Sequence, residues 1–341
     1  LFANVEFRVA EDWTASIGLN KTDDEKTVVA DVIIDDLFAS LPLPSSLTAV
    51  QFFPPFVNYP NASEDGVFKS DDITHTLRLT HDLSDNTKVY VSHSTGFKPT
   101  SVNLSVNAND ATKRAADPEF SDNFEIGMKH THDAGYINLA MFDQSIEGFQ
   151  SNTFVGNGFQ LVNAGNQKHR GIELDSMTAL SDSWVVGLSA MLLDAEYVSF
   201  VNGPCDSSFE TIACDEGKVT KDLSGSAPAG VHDLSVNANA VYSFDVSETV
   251  SSYLRLEYIY ESDVQLVENV PAEIASRSTK NLNMSMGFNH EPSNLEIMLW
   301  GRNLTDHESL ISAFPTTAAP GSFGGYPNPP RSYGLTVRSS F

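Results

Sequence analysis

Along most of this chain apolar and polar residues alternate with a period of two. The cleanest run is 234–244, where Leu234, Val236, Ala238, Ala240, Tyr242 and Phe244 are separated by Ser235, Asn237, Asn239 and Ser243. Successive side chains of a β-strand point to opposite faces, so this run reads as a strand with one oily and one wet face. After Asp245-Val246-Ser247-Glu248 the pattern returns as Leu254, Leu256, Tyr258 and Tyr260 against Arg255, Glu257 and Glu261. Leu282, Met284, Met286 and Phe288 repeat it, turn at Glu291-Pro292-Ser293-Asn294, and return through Leu295, Ile297 and Leu299. The last residues set Tyr333, Leu335, Val337 and Phe341 on one face and Gly334, Thr336, Arg338 and Ser340 on the other. A final strand with nothing downstream to cover its edge needs a partner from far upstream, which predicts closure of a barrel.

The first half carries the same rhythm. Residues 2–10 and 13–20 form a hairpin about Glu11-Asp12, and alternation resumes at 73–81, 88–97 and 123–129. One long strand is expected from 136 to about 153, a return from 160 to 179, and another strand at 184–198. Between them lie long connections near 21–71, 100–119, 199–230, 262–278 and 305–330. The first begins with a charged run at 22–26, could hold a short helix within 28–40, and carries Pro42, Pro44, Pro54, Pro55 and Pro60, which forbid central strands. Short polar turns thus alternate with long connections, giving roughly thirteen strands, many near the ~10 residues of a transmembrane β-strand. Phe97, Phe244, Tyr258, Tyr260 and Tyr333 fall near strand ends, where interface girdles sit. The expected fold is all-β: a transmembrane antiparallel up-and-down barrel, short turns on one rim and long loops facing outward. A soluble sandwich also alternates, but it would not sort its loops by length so regularly.

Composition narrows this further. The 341 residues are 41% hydrophobic, yet no stretch approaches the ~20 apolar residues of a spanning helix. Against 20 basic residues stand 45 acidic ones, a formal charge of −25 that repels nucleic acid and suits acidic loops in water. The two cysteines, Cys205 and Cys214, share one loop and make neither a C-x-x-C redox motif nor a four-ligand zinc site. A local disulfide in an oxidising compartment is the expected use, two unpaired thiols the other.

Several stretches then carry a resemblance. They are Val89-Tyr90-Val91-Ser92-His93-Ser94-Thr95-Gly96-Phe97-Lys98-Pro99, Phe124-Glu125-Ile126-Gly127-Met128-Lys129, and Val162-Asn163-Ala164-Gly165 leading into Arg170-Gly171-Ile172-Glu173-Leu174-Asp175. Leu193-Asp194-Ala195-Glu196-Tyr197 and Trp300-Gly301-Arg302-Asn303-Leu304-Thr305-Asp306 follow. In this order, with Phe341 terminal, they resemble the TonB-dependent outer-membrane receptors. The resemblance implies a 22-stranded barrel in the bacterial outer membrane, plugged by an N-terminal domain and importing a scarce ligand such as siderophore-iron, cobalamin or an oligosaccharide. It implies outer-membrane lipid, the TonB energy-coupling complex and, through Phe341, the barrel-assembly machinery as partners. Residues 1–341 resemble the C-terminal part of that barrel, so the plug and the segment that contacts TonB lie outside them. An odd strand count in a barrel that needs an even one predicts further strands upstream.

Other constellations carry less. His81-Asp82, His132-Asp133 and His232-Asp233 sit at strand ends with no nucleophile beside them and read as rim residues. His130 and His132 are two metal ligands without a third. Gly156-Asn157-Gly158 and the glycines at 321–325 match no phosphate loop. No catalytic, cofactor or metal residue is assigned and no enzymatic activity is expected. The outward aromatics Phe52, Phe53, Phe56, Phe314, Phe323 and Tyr326 are the candidate ligand contacts, with loop packing as the other reading. Arg255, Glu257, Arg302 and Arg338 are expected on the polar wall below them. An autotransporter translocator, a passive porin and an outer-membrane hydrolase are the other functional classes. The sequence upstream separates the first two, through a long passenger or a signal peptide alone.

Overall fold

The structure, a computed structural model, describes residues 1–31, 41, 42, 44, 63–103, 115–155, 158–205, 220–316 and 321–340. Thirteen antiparallel strands form one sheet, each bonded to its neighbours in chain order. They are β1 (Phe2–Ala10), β2 (Trp13–Asp31), β3 (Ser63–Ser84), β4 (Thr87–Lys98), β5 (Glu119–His132), β6 (Gly135–Glu147) and β7 (Asn166–Ala179). After them come β8 (Trp184–Ser199), β9 (Leu234–Ser247), β10 (Val250–Gln265), β11 (Ser276–His290), β12 (Leu295–Arg302) and β13 (Ser332–Ser339). Among the described residues no helix is long and apolar enough to cross a membrane, so any crossing is made by strands.

Cross-strand register explains the alternation. The pairs Ala190↔Val236, Leu188↔Ala238, Val236↔Tyr260, Ala240↔Leu256, Leu256↔Met284, Met286↔Leu299 and Leu299↔Leu335 put apolar side chains opposite one another on one face. On the other face the same strands pair Ser189 with Asn237, Asn239 with Glu257 and Glu257 with Asn283. Because the side-chain period is two, a slip of one residue would turn the whole apolar face over, so each register is strongly fixed.

The apolar face is a tilted band. The row Ile17, Leu77, His93, Phe124 in β2 to β5 continues as Asp143, Arg170 and Asp194 in β6 to β8. Followed along such rows, the apolar window slides toward the short-turn rim by about one residue per strand. With a strand spacing of ~4.8 Å and a rise of ~3.3 Å, that slide corresponds to a strand tilt of roughly 35°, the tilt of membrane barrels. Aromatic pairs bound the band. Trp13 stacks on His81 and Trp184 on Tyr242 near the short-turn rim, whereas Phe97 meets Phe120 on the opposite side. Phe244 belongs to the short-turn girdle, in contact with Tyr242.

Three expectations need correction. The connection at 21–71 is shorter, because residues 21–31 of β2 pair with residues 63–73 of β3 as far as Asp31↔Ser63. There charged residues fall on both faces, Lys21, Asp23 and Glu25 on one and Asp24 and Lys26 on the other, so hydrophobic alternation disappears while pairing continues. Cross-strand ion pairs such as Lys69–Glu25 at 2.9 Å add to that pairing. The helix expected within 28–40 is a strand through Asp31, and 32–40 lies outside the described residues. The strand expected from 136 to 153 ends at Glu147, where Gly148 turns the chain with φ +66°. Gln150–Val155 then pairs with Gly158–Asn163 as a separate hairpin.

Both β1 and β13 run toward the short-turn rim and are therefore parallel to each other. Antiparallel closure of these thirteen strands alone is impossible, so a segment of residues 1–341, expressed by itself and refolded in detergent, should give no heat-modifiable monomer on denaturing gels. A stable heat-modifiable band would contradict the open sheet.

Candidate functional site

The long connections are stitched to one another at the outer rim by a few buried polar residues. Gln150 is buried, and its amide donates to the carbonyls of Pro99 at 3.1 Å and Asp117 at 2.8 Å while its oxygen accepts from the Ser101 hydroxyl at 2.6 Å. Asn163 donates to the carbonyls of Asp117 at 3.0 Å and Gly148 at 2.7 Å and accepts from the Asp117 amide at 2.8 Å. Two residues on, Gly165 has φ +70°, and a Cβ there would lie 1.7 Å from the Ser199 carbonyl oxygen. Only glycine satisfies both the left-handed backbone and the close approach. The Val162-Asn163-Ala164-Gly165 motif is thus a joint between three loops.

A second joint is built on Asn303, buried with φ +48°. Its side-chain nitrogen donates to the carbonyls of His307 at 3.0 Å and Pro329 at 3.1 Å, and its oxygen accepts from the His307 amide at 3.0 Å. Arg331 closes the same corner on Asp306 at 2.9 Å. A third lies at the outer end of β8, where the buried Tyr197 donates to Glu268 at 2.8 Å and packs with Ala164, Phe200, Phe149 and Leu223. In the adjoining turn the Ser224 hydroxyl and amide hold the exposed Asp222 carboxyl below its usual range. The sequence motifs contained Asn163, Tyr197 and Asn303 but gave no signal for Gln150 or Glu268, whose partners are backbone groups or residues distant in sequence.

The candidate contact residues separate into two kinds. Phe314 and Tyr326 sit on the hairpin of Leu310–Pro315 with Phe323–Pro327, rings 5.8 Å apart and both exposed. Phe323 instead packs against a rim cluster of Val270, Ala275 and Ala313. Phe52, Phe53 and Phe56 lie outside the described residues, as does Phe341. Cys205 is disulfide-bonded, and Cys214 lies outside the described residues.

Below the rim, register puts Arg255, Glu257, Arg302 and Arg338 on the polar face. Asn283 donates to Glu257 at 3.0 Å, Arg338 pairs with Glu296 at 3.1 Å, and Arg302 lies over the Trp300 ring. Further along the wall Tyr90 donates to Glu125 at 2.6 Å beneath Arg78. Between β7 and β10 the face carries a depression of about 370 Å³, lined by Glu173, Asp175, Ser189, Met191, Asn237 and Glu261. The His-Asp pairs are structural. His81 stacks on Trp13, Ala134 donates to His132, and His232 bonds the Ser262 carbonyl and Arg277. Among the described residues no group of three or more His, Cys, Asp or Glu side chains could hold a metal ion.

An apolar band with two girdles, a polar inner face and one heavily built rim define part of the wall of a membrane β-barrel. The TonB dependent receptor-like β-barrel family matches residues 1–304, and the chain belongs to that family. In structure it is similar to the ferric yersiniabactin uptake receptor FyuA from Yersinia pestis, with TM-score 0.73, 14% identity, 100% of this chain covered and 45% of that one. It is also similar to the siderophore receptor PiuA from Acinetobacter baumannii (TM-score 0.68, 17% identity, 98% and 42% covered) and to the copper transporter OprC (0.65, 14%, 100% and 47%). The chain therefore spans less than half the length of each of these three structures. No curated protein sequence matches it.

If Asn303 acts through both its backbone and its amide, two substitutions should rank. Asn303→Gly keeps the left-handed backbone but loses the joint, whereas Asn303→Ala loses both and should be about 1 kcal/mol less stable than the glycine variant. Urea unfolding of the full-length protein in detergent measures this, with both midpoints expected below wild type. A wild-type midpoint for Asn303→Gly would show that the side chain joins nothing of consequence.

Proposed function

We propose that this chain is the ligand-facing part of the wall of a bacterial outer-membrane receptor that takes up a scarce ligand, drawing energy from the TonB complex through regions beyond residues 1–341. The observation that carries this reading is the asymmetry of the rims. Turns on one rim are minimal, while on the other buried amides and apolar clusters tie long loops into a fixed surface. Ordered loops of that length are usually functional. The family and the uptake receptors similar in fold support transport, and a ferric siderophore is the first ligand to test. Exposed Phe314 and Tyr326 present apolar contact area above a polar, arginine-bearing wall.

Uptake of labelled ferric siderophores, cobalamin and oligosaccharides by the source bacterium tests it. Replacing both Phe314 and Tyr326 with alanine should weaken binding of the true ligand roughly tenfold or more, the usual cost of removing exposed aromatic anchors. Uptake should cease when the proton gradient is collapsed. Uptake that continues without the gradient would identify a passive pore and refute the receptor reading. We propose further that Cys205 and Cys214 are joined within the 200–233 connection, stiffening it by roughly 2–3 kcal/mol for so small a loop. Alkylation of both thiols without reductant, seen by mass spectrometry, would refute the pairing.

A further inference from the structure

The apolar face holds one group of residues that does not belong there on grounds of solvation. On β3, β4 and β5 the side chains of His75, His93, Thr95 and Asp122 share the face occupied by Ile17, Leu77, Val91 and Phe124. Above them the row Phe97↔Phe120 belongs to the outer girdle, and directly beneath it lies Thr95↔Asp122. One row is two residues, so Asp122 sits about 5 Å below the girdle and His93 deeper still, within the band. Ionisable side chains at such positions are costly and usually have a specific task.

These residues form one hydrogen-bonded chain. His93 Nε2 lies 2.8 Å from Asp122 Oδ2, His75 Nε2 lies 3.0 Å from His93 Nδ1, and Thr95 Oγ1 lies 3.4 Å from His75 Nδ1. A carboxylate only accepts, so His93 donates from Nε2, accepts from His75 at Nδ1, and leaves His75 Nδ1 to accept from the Thr95 hydroxyl. Both rings are thus satisfied. Asp122 is not: among the described residues His93 is the side chain that donates to it, and its own side chain is 56% exposed. A carboxylate has acceptor positions for about four donors, and facing hydrocarbon it lacks water to fill them.

Directly below is a groove of about 270 Å³ lined by Ala15, Ile17, Leu77, Leu79, Val91 and Phe124, with His93, the partner of Asp122, also in its wall. Its floor is low because Ala15 stands between Phe7 and Leu79. We propose that this groove holds an acyl chain of an outer-leaflet lipid whose hydroxyl group, carried on the chain near its carbonyl, donates to Asp122. The inference rests on the membrane placement above but not on the uptake reading. Depth chooses this occupant over an ordinary glycerophospholipid: the acceptor lies beneath the girdle, at the level of a hydroxyl on the chain rather than of a headgroup, and a plain acyl chain has no donor to offer there.

The test is native mass spectrometry of the full-length receptor in detergent, mixed with equal amounts of a lipid A bearing 3-hydroxyacyl chains and of phosphatidylglycerol with plain chains of similar length. A second mixture replaces the first lipid by a lipid A analogue without the hydroxyls. Wild type should retain the hydroxylated lipid roughly tenfold over either comparator, the low end for a hydrogen bond to a charged group. Asp122→Leu should abolish the preference by removing the acceptor, and Ala15→Phe by filling the groove without touching the hydrogen-bonded chain. Heat-modifiable migration checks that each variant folds, and if Asp122→Leu does not, Ala15→Phe decides alone. Equal retention of hydroxylated and plain lipids by wild type, or a preference that survives Ala15→Phe, would overturn the proposal.

Discussion

Hydrocarbon offers no partner to a backbone amide or carbonyl, and every other feature of this chain follows from that. Each N–H and C=O within the band must be satisfied by a neighbouring strand, so the chain runs as antiparallel strands paired in sequence order. Pairing fixes register, and register fixes which side chains see lipid. Val236, Tyr260 and Leu256 on one face and Asn237, Glu257 and Asn283 on the other are thus consequences of a hydrogen-bonding requirement rather than independent preferences.

Where the hydrocarbon ends the requirement relaxes, and the protein changes its means of cohesion. Strands above the band no longer need an oily face. The connections are held by amide side chains that mimic a backbone partner, as Gln150, Asn163 and Asn303 do. Left-handed residues at Gly148, Gly165 and Asn303 let the chain bend sharply enough for those contacts. Small apolar clusters around Tyr197 and Val270 complete the rim. A rim built in this way is a rigid frame on which exposed groups such as Phe314 and Tyr326 can be varied without disturbing the wall.

The band was legible in the sequence because period-two alternation is imposed by lipid on one side and a polar interior on the other, and Leu234 to Phe244 shows it with Val241 as its one exception. Legibility failed just above the band. In residues 21–31 and 63–73 charged side chains fall on both faces, so pairing leaves no hydrophobic period to read. It failed again at Gly148, where one glycine ends a strand that apolar content alone would extend. The rim joints were half visible: the motif residues Asn163 and Asn303 stood out, but Gln150 and Glu268 make their bonds to distant segments that no local pattern records. Phe323 shows the converse error, an aromatic in an outward loop that serves packing.

The continuation of β2 and β3 has a mechanical meaning. From Lys21↔Ile73 to Asp31↔Ser63 the two strands run on as a ribbon about 30 Å long at ~3.3 Å per residue, its base tied to the next connection where Ser70 bonds Thr100. The ribbon is thus a stalk whose described tip, Asp31↔Ser63, stands well above the mouth of the wall. An object arriving from outside meets that tip long before it meets the polar wall, and ion pairs such as Lys69–Glu25 along the shaft make its stiffness a function of ionic strength.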